Sequence, residues 1–319
     1  MRYKNFLGIV VLGGCSLTAC ELQEDKEQNP SDATLNFEFA FNEAQERLDN
    51  FGKPVGVAEG NAAQSPQFNS MSVHYIEFVQ DKWTMIGDGA VVYEGATRSS
   101  ANTQFPNAIE FDEAIQHGEG ETFLEVPISA LPAGTYEYLR VSVTYQNADV
   151  QFNLLNLPYL GDYNKQKGTL AGFIGFNTYI SSHTAKQQTI EVHSEKPQGF
   201  WIFEPQFEEP LQGYYLQSNP SGVLQQQIPA GGVTVVNPLE EFGVTIPEGS
   251  CVVTGKLEEP LVITGEETEN KQVTLSFSTN NSFEWIDANP NGEWDIDVEG
   301  NIQEPVVDMG LRGLQVIVK

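Results

Sequence analysis

Cysteine, histidine and positive charge are all scarce in this chain, and each shortage excludes something. Only Cys15, Cys20 and Cys251 occur in 319 residues. A disulfide framework is therefore excluded, and cohesion must come from an apolar core. Ser250-Cys251-Val252-Val253 reads as a strand carrying an inert, buried thiol. Basic residues number 16 against 44 acidic ones, for a formal net charge of -28. Such a surface repels phosphate, which argues against nucleic acid and against an anionic membrane surface as partners. An extracellular or saline setting accounts for the charge without any ligand.

The four histidines, His74, His117, His183 and His193, show no His-x-His or His-x3-His spacing. A metal site would need His183 and His193 brought together across a hairpin; surface or core histidines are the simpler expectation. Catalytic signatures are missing as well. There is no Gly-x-Ser-x-Gly elbow, no phosphate loop and no His-Glu-x-x-His. Glu204, Glu208 and Glu209 are close in sequence, but 44 carboxylates produce such neighbours by chance. The sequence points away from an enzyme.

What the amino terminus does contain is an address. Arg2 and Lys4 form a positive head, and residues 6–12 are an apolar run too brief to span a bilayer. Leu17-Thr18-Ala19-Cys20 resembles a bacterial lipobox, which implies a signal peptide over 1–19 and acylation of Cys20. Leu12-Gly13-Gly14-Cys15 is an alternative that leaves a very short apolar region. Residues 20–33 then form an acidic, polar stretch without apolar period, a flexible tether. Acidic residues directly after the Cys resemble the surface-export signal of Bacteroidota lipoproteins. That likeness implies an outer-membrane lipid anchor with the protein facing outward; the periplasmic face is the alternative.

Beyond the tether, period-two alternation dominates. Leu35, Phe37, Phe39 and Phe41 share one strand face. Further strands are expected at 71–79, 90–93, 123–128, 136–145, 150–155, 189–193, 199–203, 232–236, 252–256, 261–264, 273–278 and 314–318. Pro- and Gly-rich turns separate them. The expectation is an all-β antiparallel sandwich, as one large unit or two abutting ones, with a weak boundary near 160 dividing 34–160 from 161–319. Helix is expected only as two turns over 43–50 and one over 111–116. Residues 170–180 read as a buried strand, and 52–69 and 94–108 as surface loops.

The most specific motif is Asp287-Ala288-Asn289-Pro290-Asn291-Gly292-Glu293-Trp294-Asp295. It places oxygen side chains at alternate positions with Gly at the sixth, the pattern by which one loop wraps Ca2+. Asp287, Asn289, Asn291, Glu293, Asp295 and Glu299 are the candidate ligands of a structural ion. The closing residue departs from the pattern, since Val298 stands where a bidentate Glu belongs. An Asx-rich turn held by its own side chains is the competing reading. A second candidate site is aromatic. Trp201 and Phe203 share a face, and Tyr214 and Tyr215 follow, so an exposed platform for a glycan is one reading and a strand covered on both faces the other.

Two segments resemble known proteins. Asn36 to Asn50, Phe68 to Phe78 and Leu131-Pro132-Ala133-Gly134-Thr135-Tyr136 resemble the start of MbnP-like proteins. The stretches from Thr279 to Trp285 and from Val307 to Leu314 resemble Bacteroidota lipoproteins. The first likeness implies an exported, sandwich-like, non-enzymatic protein. Its copper site uses a Trp close to a His, and Trp83, Trp201, Trp285 and Trp294 all lack that neighbour. Copper is therefore not supported. The expected role is a membrane-anchored binding or accessory module for a glycan or surface protein, in an oligomeric state the sequence leaves open; a metal-handling protein of MbnP type is the alternative, and an enzyme of unknown reaction the third reading.

Overall fold

The structure is a computed structural model describing residues 33–102, 104–242 and 251–319. The expected signal peptide, Cys15, Cys20 and residues 20–32 of the expected tether lie outside the described residues. Alternating apolar side chains hold most of the remainder in extended backbone. Among the described residues, twenty strands, one α-helix over Leu211–Ser218 and three short 3-10 segments make an all-β, sandwich-type fold.

The longest strand, Gly134–Leu157, has 24 residues and organises the rest. Gly161–Phe173 pairs with its residues 145–157, and Val252–Ile263 with residues 134–142. Gln67–Val79 lies along residues 138–149 and the short strand Asp295–Asp297 along 153–155. The overlap of these registers puts the first two strands on one edge and the last two on the other. Beyond Val252–Ile263 the sheet continues through Leu314–Val318, Lys271–Ser278 and Thr34–Asn42 to Thr122–Pro127. Two smaller sheets flank it. One orders Thr189–Pro197, Asn177–Thr184, Asn107–Glu110 and Thr97–Ser99, and the other Val306–Asp308, Phe283–Ile286 and Asn61–Gln64.

The expected inward face of the first strand is realised, with Leu35, Phe37 and Phe39 fully buried. Phe39 stacks on Phe123 with centroids 4.1 Å apart, and Phe37 meets Phe78 at 6.1 Å. That second contact joins strands far apart in sheet order, so the large sheet folds over on itself. Each such ring removes enough surface from water to contribute about 1.5–3 kcal/mol. A smaller core of Phe111, Tyr145, Phe173, Ile180, Phe200 and Ile202 lies under the four-stranded sheet.

Hydrogen bonds cross the expected boundary at 160. Leu157 pairs with Gly161 in a hairpin, and Thr34–Asn42 runs parallel to Lys271–Ser278. Ser31–Lys319 forms one compact unit. Other local expectations also shift. Residues 43–50 form turns rather than helix, opened by Asn42 Oδ1 accepting the amides of Ala44 and Gln45 at 2.9 and 3.1 Å. The 170–180 strand is interrupted where the amides of Ile174 and Gly175 both donate to the Thr144 carbonyl at 2.9 Å. A Cβ at Gly175 would lie 2.8 Å from Ile109 Cδ1, so a larger residue there would have to displace the end of that side chain. Residues 232–236 are not a strand, and part of 52–69 is one, Asn61–Gln64.

Charge is also buried. Glu284 accepts from Arg47, from Arg312 at 3.0 Å and from Asn61 Nδ2 at 2.6 Å, while Arg312 lies 3.3 Å from Asp308. Burial holds the Asp308 carboxyl above its ordinary pKa against the pull of Arg312. Removing one partner strands the other charges in the core. Glu284→Ala is therefore expected to cost about 3–5 kcal/mol, read as a lower urea midpoint. Lys53→Ala, which breaks the exposed pair with Glu241, should leave the midpoint where it is.

Candidate functional site

Strand register assembles a row of polar side chains that are distant in sequence. Lys167 pairs with Gln206 on one side and with Gln151 on the other. One step further, Gln67 pairs with Asp149, where the ladder of Gln67–Val79 ends. The main chain of Gln151 then lacks a strand neighbour on that edge, and the Gln64 carboxamide takes the place of one. Its Nε2 donates to the Gln151 carbonyl at 2.9 Å and its Oε1 accepts the Gln151 amide at 2.8 Å.

Above this row lie three adjoining hollows. One of 540 Å3 is bounded by Tyr163, Gln206, Glu208 and Glu209, and one of 330 Å3 by Gln67, Asp149 and Gln151. The third, 110 Å3, sits between Gln151, Asn153 and Trp294. Lys167 borders the first two, Gln64 and Gln151 the second and third, and Lys165 the first and third, so they form one groove. Its central carboxylate, Asp149, accepts from Thr169 Oγ1 at 2.6 Å, Asn69 Nδ2 at 3.1 Å and Lys186 Nζ at 3.3 Å. Burial acts to raise its pKa, but these bonds and the Lys186 charge outweigh it and hold the carboxyl below its ordinary value.

One end of the groove is walled by the 287–295 loop. Asp287 accepts the amides of Asn291 and Gly292 at 3.4 and 3.2 Å, and Gly292 turns the chain at φ +74°. Asp295 Oδ2 accepts Asn289 Nδ2 at 2.7 Å and Asn291 Nδ2 at 2.9 Å. Asn153 Nδ2 reaches Asp295 Oδ1 and Glu293 Oε2, both at 2.8 Å. Asp287, Asn289, Asn291, Glu293 and Asp295 thus share one loop, whereas Glu299 sits on a separate turn with Asn301. A carboxylate that spacing did not reveal closes the loop instead. Glu304 accepts the amides of Asn289 at 3.0 Å and Asp295 at 2.6 Å, and burial raises its pKa. Among the described residues, no three His, Cys, Asp or Glu side chains are grouped to hold a metal.

Of the two readings of the aromatic stretch, the strand covered on both faces is the one formed. Trp201 and Phe203 are 3% and 0% exposed. Phe200–Gln206 is covered on both faces, with Phe200 and Ile202 in the smaller core and Trp201 and Phe203 in the larger. Tyr214 and Tyr215 lie half-buried on the helix Leu211–Ser218, which the sequence reading missed, and pack on the main core. The exposed tryptophan is Trp83, whose ring meets Phe242 at 5.1 Å.

His183 and His193 do not converge. His183 is buried with its Nε2 3.0 Å from the Tyr145 hydroxyl, while exposed His193 pairs with Glu191 at 2.8 Å. The chain matches no protein-family model, and no curated protein or solved structure matches it significantly.

Burial lowers the His183 pKa from 6.5 to about 4. The unfolded chain therefore binds the extra proton first, and stability should fall as pH drops from 6.5 towards 4. Urea midpoints measured across that window should decline less steeply in His183→Gln than in wild type.

Proposed function

We propose that this chain is a non-enzymatic binding module, lipid-anchored through Cys20 at the outer membrane and facing outward. The observation that carries the binding role is the groove. It is polar, concave and built on hydrogen-bonded strands, so the backbone that carries its side chains is set before any ligand arrives. Two of its carboxylates are already engaged: Asp149 by Thr169, Asn69 and Lys186, and Glu293 by Asn153. That arrangement suits recognition of a ligand better than proton transfer to one. The anchor rests on the lipobox-like Leu17-Thr18-Ala19-Cys20 and on the acidic composition that follows. The MbnP-like segments favour the same exported, accessory role.

The 287–295 loop is part of this reading as a structural calcium site. What supports it is the alternation of oxygen side chains and the tight turn at Gly292. A calcium ion there would take Asp287 and Asp295 as charged ligands, with Asn289 and Asn291 turned to present their oxygens.

Two measurements test these assignments. Radiolabelled palmitate should enter the wild type and Cys15→Ser but not Cys20→Ser; label persisting in Cys20→Ser removes the anchor assignment. In thermal melts, calcium over chelator should raise the wild-type Tm by about 2–4 °C and leave Asp287→Ala unchanged. Superimposable wild-type curves would dismiss the ion.

A further inference from the structure

We propose that the groove takes an uncharged oligosaccharide laid across the strands, an assignment that rests on the groove being the binding site. The polar row runs perpendicular to the backbone, from Gln206 through Lys167 and Gln151 to Gln64. Neighbouring strands are about 4.8 Å apart, so the two strand steps from Gln206 to Gln151 span ~10 Å, and the Gln64 side chain extends the row beyond them. That is the footprint of more than one linked ring.

At the centre of the row the backbone is closed to a peptide that would bind as an added strand. Lys167 pairs with Gln206 on one edge and Gln151 on the other, and at Gln151 the Gln64 carboxamide occupies the main-chain groups on the remaining edge. Recognition there must come from side chains. Carboxamides dominate the row: that of Gln151 offers a donor and an acceptor in one plane, the complement of neighbouring hydroxyls that both give and accept, while Gln64 already spends one of each on the Gln151 main chain and Gln206 Nε2 donates to Thr169 Oγ1 at 2.6 Å. Charge narrows the class further. Asp149, Glu208, Glu209 and Glu293 outnumber Lys165 and Lys167 along the walls, so a polyanion is repelled. Half-buried Tyr163, in the wall of the widest hollow, supplies a ring body against which the apolar face of a sugar can lie.

The test is calorimetry on the full chain, solubilised in a detergent without a sugar headgroup. The probes are xylotetraose, mannotetraose, cellotetraose, tetragalacturonate and a Ser/Gln-rich hexapeptide. At least one neutral tetrasaccharide should bind with Kd under ~1 mM. Gln151→Ala and Lys167→Ala should each weaken it by about tenfold, one lost hydrogen-bonding group apiece. Both side chains are exposed, so the melting temperature of each variant checks that the fold is intact. Trp83→Ala, away from the groove, should bind like the wild type.

Sugar binding indifferent to Gln151 and Lys167 would overturn the groove assignment while leaving a binding module. Preference for tetragalacturonate, or Gln151-dependent binding of the peptide alone, would overturn the ligand class and keep the groove. Failure of every probe to bind would overturn both.

Discussion

Every peptide group of a 24-residue strand needs a hydrogen-bond partner or water, and the architecture follows from how Gly134–Leu157 meets that demand. One edge is filled end to end by Val252–Ile263 and Gly161–Phe173. The other edge changes partner: Gln67–Val79 stops at Asp149, and Asp295–Asp297 begins at Asn153. The seam between them is bridged by the Gln64 side chain, and the Asn153 amide bonds the Trp294 carbonyl at 2.8 Å. The two smaller hollows of the groove lie over this seam. A discontinuity in the sheet therefore produces that part of the concavity, and the 287–295 loop exists in part to deliver the strand that ends it.

Buried arginine ties the distant parts of the chain to this frame. Arg47, Arg140 and Arg312 are each below a tenth exposed. The Arg47–Glu284 contact joins residues 237 positions apart, and Glu284 also receives Asn61 at the end of the strand that supplies Gln64. Arg140 lies 3.5 Å from Glu77, whose other oxygen accepts the amides of Gly87 at 3.0 Å and Gly89 at 2.6 Å. Taking such ions out of water is costly, and a geometry that fails to pair them is penalised by several kcal/mol. The planar fork of arginine makes that penalty directional, so these contacts favour one chain arrangement over its near neighbours.

The strands were legible where one face is wholly apolar and the other polar, as in Leu35, Phe37 and Phe39. Reading failed where polar residues interrupt an apolar pattern inside a strand. The strands expected at 136–145 and 150–155 are one, and Gln146 and Asn147 between them are buried within it: Gln146 Nε2 donates to the Met309 carbonyl at 2.7 Å, and Asn147 Nδ2 to the Ala185 carbonyl at 2.9 Å. Only tertiary partners far along the chain make those positions tolerable, and no local pattern encodes them. Trp201 and Phe203 left two readings open for a related reason. Alternation assigns residues to two faces but does not say whether both are covered. The groove was invisible in sequence because Gln64, Gln151, Lys167 and Gln206 meet only through register, a property of pairing rather than of any one segment.

The 287–295 loop was legible as a turn rich in oxygen, and its geometry explains why two readings of it share one shape. A carboxamide is nearly symmetric about its own axis, so a half-turn exchanges donor for acceptor with little displacement of heavy atoms. With nitrogens inward, Asn289 and Asn291 hold Asp295 by hydrogen bonds at 2.7 and 2.9 Å. With oxygens inward, the same two residues and Asp295 would surround a cation. The two states compete for one carboxylate, so a bound ion would replace the amide latch instead of adding to it. Its effect would therefore appear in the stability of the loop more than in its path. Asn153 carries that stability to the groove, because its Nδ2 bonds both Asp295 and Glu293 while its Oδ1 accepts the Lys165 amide at 2.9 Å. Lys165, held at φ +54° by this contact and a local shift in register, lines the groove wall. Whatever firms the loop firms the wall, and a preorganised wall loses less entropy when a ligand settles against it.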